Sequence, residues 1–79
     1  MLDKIINWIP EDDFLIIDGF DNAIIGVDIN SSRLIYSKTK CIRILKKEMS
    51  EEDALEYFDY NIANTYLGPN TPIICVDDL

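Results

Sequence analysis

SEEDALEYFDYNIANTYLG, Ser50–Gly68, is the stretch from which the fold can be read outward. Ser50 is a strong helix N-cap, because its hydroxyl can accept a hydrogen bond from an unpaired N–H of the first turn. Asp53 stands where the returning acid of a capping box would stand, and Met49 and Ala54 occupy the hydrophobic-staple positions. Glu51, Glu52 and Asp53 set negative charge against the positive end of the helix dipole. Gly68 takes positive φ without a Cβ clash, and Pro69 forbids continuation. Leu55, Phe58, Ile62 and Tyr66, with Ala54 and Ala63 beside them, recur at three and four residues and predict one buried stripe. Glu52, Glu56 and Asp59 lie opposite it, flanked by Tyr57, Tyr60, Asn61 and Asn64.

Outward from this helix, the chain reads as an α+β domain. Leu2, Ile5, Ile6 and Ile9 have helical spacing and Pro10 follows, so a short N-terminal helix is expected. Its Trp8 either docks on the body or stands out as an anchor for a partner. Phe14–Ile17 and Ala23–Ile29 are apolar runs separated by Asp18-Gly19 and Asp21-Asn22, which reads as a hairpin. Asn30-Ser31-Ser32 makes a second turn, and Leu34–Tyr36 a third strand. Ser37 caps a helix expected over Lys38–Glu48, with Cys41, Ile42, Ile44 and Leu45 inward. Thr71–Val76 is a last strand, its Pro72 suited to a strand beginning or an edge. The expected architecture is a small, mostly antiparallel sheet of three N-terminal strands and a C-terminal strand, packed against two helices.

At 79 residues the chain makes a single domain, 1–79, with a modest core for its size. Its hydrophobic content of 48% is too high for intrinsic disorder. No apolar run approaches the ~18–20 residues of a membrane span, and Met1–Asp13 lacks the pattern of a signal peptide. Cys41 and Cys75 are expected as free thiols on core faces, in a reducing compartment.

The net charge of −8 is unevenly placed. Met1–Ser32 carries −6, Arg33–Lys47 carries +6 without a single acid, and Glu48–Leu79 carries −8 without a single base. An acidic whole argues against direct nucleic-acid binding and against anionic membranes. With no histidine in the chain, Ser–His and Cys–His catalysis are excluded, and no zinc site of the usual kind can form. No glycine-rich phosphate loop is present. Asp18, Asp21 and Asp28 are oxygen ligands in principle for Mg²⁺ or Ca²⁺, yet their spacing matches no EF-hand, and turn hydrogen bonds explain them more simply. No enzyme, cofactor or metal is therefore expected.

Two charged regions remain as candidates. From Glu52 to Asp59 is ~10 Å of helix axis at ~1.5 Å per residue, so the three carboxylates follow one another every ~5 Å. A DNA strand carries one phosphate per ~3.4 Å. Glu52, Glu56 and Asp59, with Tyr57, Tyr60 and Asn64, form a candidate partner-binding face resembling a phosphate track, extendable by Glu51, Asp53, Asp77 and Asp78. A merely solvated polar face is the commoner cause of such a pattern. The tyrosines suit an interface or partial burial equally well. The second region is basic: Arg33, Lys38, Lys40 and Arg43 either pair internally with acids or form an anion site.

The segments DGFDNAIIGV (Asp18–Val27), KCIRIL (Lys40–Leu45), MSEEDALEYFDYN (Met49–Asn61) and YLGPNTPI (Tyr66–Ile73), with Tyr36, resemble a family of small uncharacterised proteins of tailed phages. The resemblance spans Phe14 to Val76 and carries no catalytic residue. It implies a viral accessory protein in the cytoplasm of a bacterial host, and such small acidic proteins are often inhibitors of host defence. The leading expectation is a non-enzymatic protein that blocks a host machine, such as a nucleic-acid-handling defence complex, through the acidic helix face. A nucleotide sponge built on the basic block, or a homo-oligomeric structural protein joined at the free edge of Thr71–Val76, are the alternatives.

Overall fold

The computed structural model describes residues 15–64 and 68–79. The expected N-terminal helix with Trp8, and Tyr66 of the helical stripe, lie outside these residues. Two helices and a three-stranded mixed sheet make an α+β fold: β1 (Ile24–Val27), β2 (Leu34–Ser37), α1 (Lys38–Leu45), α2 (Glu51–Phe58) and β3 (Ile73–Cys75).

The sheet order is β1-β2-β3, with β1 antiparallel to β2 and β2 parallel to β3. This corrects the expectation of a mostly antiparallel sheet. Strands running in the same direction need a crossover, and here both helices lie in it. The last strand is also shorter than Thr71–Val76.

Of the two expected hairpins, the first is not formed by the described residues and the second, at the Asn30–Ser32 turn, is. Leu15–Ile17 is not a strand. Ile17 instead accepts from Phe20 N at 3.2 Å across a turn whose Gly19 has φ +88°, the positive φ a type II turn requires at that position. A 3₁₀ turn over Asp21–Ala23 then leads straight into β1. The hairpin that does form joins β1 to β2 through Asp28–Arg33. Its loop closes by Asp28 N donating to Arg33 O at 2.8 Å, with Ser32 in the left-handed region at φ 59°.

A bulge between Ile24 and Gly26 resets the alternation of β1. Ile24 and Val27, three residues apart, therefore both face the core, paired with Tyr36 and Leu34 respectively. Ile74 of β3 pairs with Tyr36 and packs on the same cluster. The helices complete it with Cys41, Ile42 and Leu45 from α1, and Ala54, Phe58 and Ile62 from the second helix.

α1 is capped as expected, Ser37 Oγ accepting from Lys40 N at 3.1 Å. It stops at Leu45 rather than Glu48. Lys47 N and Glu48 N donate to carbonyls three residues back, at 3.3 and 3.0 Å, tightening the end. α2 begins as its caps predict, with Asp53 N donating to Ser50 Oγ at 3.2 Å. It then departs from the expected long α-helix, because Asp59–Ala63 continues as a π-helical segment.

That widening bears on the residues after Phe58. A π turn holds more residues than the 3.6 of an α turn, so residues four apart stay in line. Ala54, Phe58 and Ile62 are buried at 0%, 2% and 6% exposure, a strict four-residue series. Leu55, expected inward, is 40% exposed, and Ala63 is exposed as well.

Candidate functional site

The outward face of α2 carries the candidate residues. Glu52 and Glu56 lie on the α-helical part and Asp59 opens the π segment. All three are exposed, and none of their carboxylates is in an ion pair or hydrogen bond among the described residues. Tyr57 and Tyr60 are 44% and 75% exposed, so neither ring is buried. Asn61 Nδ2 donates to Tyr57 O at 3.2 Å and Asn64 Nδ2 to Asp59 O at 2.6 Å. Both amides thus hold backbone carbonyls at the point where the helix widens. In an α-helix those carbonyls would be taken by N–H groups four residues on.

Met49, Asp53, Glu56, Tyr57, Tyr60 and Asn61 line a shallow, open groove along one edge of this face. The groove presents carboxylates and aromatic rings side by side.

Three other acids of the expected phosphate-like track are engaged within the fold. Glu51 pairs with Lys46 at 3.6 Å, a contact between exposed groups that contributes little. Asp78 pairs with Lys38 at 3.1 Å. Asp77 does most. Its carboxylate accepts from Ser37 Oγ at 2.5 Å, Thr39 N at 3.0 Å and Thr39 Oγ1 at 2.8 Å. These donors, led by the Ser37 hydroxyl, push its pKa down to about 2.

Sequence reasoning placed Asp77 on the acidic track and missed this role at the start of α1. A signal for it exists: α1 has no acid in its own first turn and two lysines there, although a helix N-terminus attracts negative charge. The C-terminal tail supplies the missing anion.

The four cations of the alternative anion site are not gathered into one place. Arg33 precedes β2, where its Nη1 donates to Thr71 O at 3.2 Å and its Nε to Ser31 Oγ at 3.1 Å. Lys38 follows β2 and pairs with Asp78 beyond the far end of β3. The two therefore mark opposite ends of the β2–β3 pair. Arg43 lines a cleft with Thr39, Lys46, Glu51 and Asp78, where carboxylates already balance the positive charge. Lys40 is exposed.

Asp28 is a turn residue. Its carboxylate accepts from Ser31 N at 2.8 Å and Ser31 Oγ at 2.6 Å, and these hydrogen bonds, chiefly that of the hydroxyl, lower its pKa. Among the described residues, no three histidine, cysteine, aspartate or glutamate side chains converge in a way that could hold a metal ion. Cys41 and Cys75 are both free thiols. Cys41 is wholly buried, and burial, helped by the nearby charge of Asp77, pushes its thiol up to about 11. Cys75 is only half-buried, against the expectation of two core cysteines. No helix among the described residues is long and apolar enough to cross a membrane.

Compared with family models, with curated proteins and with solved structures, the chain finds no match.

Proposed function

We propose that this chain is a non-enzymatic binding protein that lays the outer face of α2 against a basic groove of its partner. The phage resemblance of its motifs makes the partner a host machine in the bacterial cytoplasm, of the kind that handles nucleic acid in defence, and the protein its inhibitor. One observation carries the reading. Glu52, Glu56 and Asp59 stand exposed along one helix, unengaged among the described residues, beside the two exposed rings of Tyr57 and Tyr60.

The physics of such a face is long-range attraction followed by short-range contact. Aligned carboxylates raise the encounter rate with a basic groove, and salt screens them with a Debye length of ~8 Å at physiological strength. The tyrosines then supply contact area. Association should be fast and salt-sensitive.

The test is a tagged pull-down from bacterial lysate, washed at low and then high salt, with the bound protein identified by mass spectrometry. The same capture is repeated with Glu52→Lys, Glu56→Lys and Asp59→Lys combined. All three sites are exposed, so circular dichroism should report an intact fold. Loss of the partner both at high salt and in the triple variant is the expected result. A partner held equally well by the triple variant would overturn the reading.

A further inference from the structure

We infer that the groove between Tyr57 and Tyr60 seats an arginine side chain of the basic partner, an inference that rests on the acidic-face reading above.

The groove is made by one helix edge. Glu56 and Tyr57 stand three and four residues after Asp53, and Tyr60 stands three after Tyr57, spacings that make these side chains neighbours along the helix surface. Met49 and Asn61 line it as well. Two features select a cation. Its charged walls, Asp53 and Glu56, are both carboxylates, and no lysine or arginine lines it. Tyr60 holds its ring 75% in water, leaving a π face open to a flat group.

Arginine fits these features better than lysine. Its guanidinium is planar and weakly hydrated, stacks on an aromatic ring and presents a fork of donors to a carboxylate. Ring and carboxylate can therefore be satisfied by one side chain. Lysine brings a compact, strongly hydrated point charge, which the carboxylates attract but the open ring holds less well. The groove is shallow and open, which suits an extended side chain of a protein segment crossing the helix. The partner is then a protein whose groove presents arginine toward α2, and Tyr57 and Tyr60 discriminate it from a surface that is merely positive.

The experiment titrates the ¹⁵N-labelled full chain with oligoarginine and oligolysine peptides of equal length at low salt. Oligoarginine should bind more tightly, with amide shifts centred on Asp53, Glu56, Tyr57 and Tyr60. Tyr60→Leu should weaken oligoarginine by about 2- to 5-fold, the fold-change of an exposed cation–π contact. It should leave oligolysine unchanged. Tyr57→Leu provides a second variant, and Tyr60 is exposed enough to replace without touching the core.

Equal binding of the two peptides, or an arginine preference that survives Tyr60→Leu, overturns the arginine seat. If both peptides bind equally and the three-lysine variant loses both, the acidic face stands and the seat alone falls. If neither peptide binds at low salt, both fall. Self-association of the free chain in light scattering, abolished by Tyr60→Leu, would give the groove to a second copy and also overturn the proposal.

Discussion

The Ser37 hydroxyl donates to the Asp77 carboxylate at 2.5 Å across forty residues of sequence, while the same oxygen accepts from Lys40 N at 3.1 Å. Ser37 is thus both the cap of α1 and the anchor of the C-terminal tail. It is the one polar side chain buried with the core, at 0% exposure, among the described residues. The contact fixes the end of β3 against the start of α1, where β2 and β3 also pair at Ser37 and Cys75.

Acid should loosen this junction in a defined window. The folded pKa of Asp77 is about 2 against an ordinary 3.8, so it is depressed. A depressed carboxylate contributes stability that is present above its unfolded value and is lost as pH falls through its folded value. Asp77→Asn should lower the melting temperature by several degrees at neutral pH. The gap to the native chain should then close between pH 3.8 and about 2. Thermal melts by circular dichroism across that range check it, and a gap that stays constant down to pH 2 would refute the assignment.

Tyr36 makes a second long-range tie. Its ring is wholly buried in β2, and its hydroxyl accepts from Ile17 N at 2.8 Å. Tyr36→Phe leaves that N–H without its acceptor and should cost about 1–2 kcal/mol, measured by urea unfolding. Burial also raises the phenol above its ordinary 10.0. Ultraviolet titration should therefore show a tyrosine ionising above the ordinary phenol range, a step that Tyr36→Phe removes. A Tyr36→Phe variant as stable as the native chain would show that water replaces the contact.

The π segment makes a prediction about which truncations hurt. Phe58→Ala should cost about 3–5 kcal/mol and Ile62→Ala about 2–5, because both open cavities in the core. Leu55→Ala, at a site 40% exposed, should cost under ~1 kcal/mol. A loss at Leu55 as large as that at Phe58 would instead place Leu55 in the core. Chemical denaturation of the three variants separates the two arrangements.

The cysteines should differ in reactivity by their surroundings. Thiolate is the reactive form, and the Cys41 thiol, pushed to about 11 by burial, supplies almost none at neutral pH. A thiol reagent should modify Cys75 in the folded chain and reach Cys41 only after denaturant is added. Equal rates for both would mean that α1 opens readily.

Local chemistry made much of this legible. Ser37 and Ser50 cap their helices because a serine hydroxyl accepts from first-turn amides wherever such a helix begins. The acids at Glu52, Glu56 and Asp59 face outward because their opposite face is apolar. What escaped was set at a distance. The hairpin expected between Phe14–Ile17 and Ala23–Ile29 rests on two apolar runs and a glycine turn, yet the Ile17 amide goes to Tyr36 Oη, nineteen residues away. Asp77 read as surface charge because nothing in its own neighbourhood reveals that Ser37 and Thr39 lie beside it.

By itself the amino-acid sequence determined the two helix starts, the α+β class, the missing histidine chemistry and the split of charge into acidic and basic blocks. Caps, turns and periodicity act within a few residues, so they are written locally. Only the tertiary structure decided that β3 returns parallel to β2, that the bulge at Ile24–Gly26 turns Ile24 and Val27 to one face, and that Leu55 stays out of the core while Ala54, Phe58 and Ile62 enter it. Those choices depend on how the two helices and three strands fill one shared interior, and no stretch of chain carries that constraint alone.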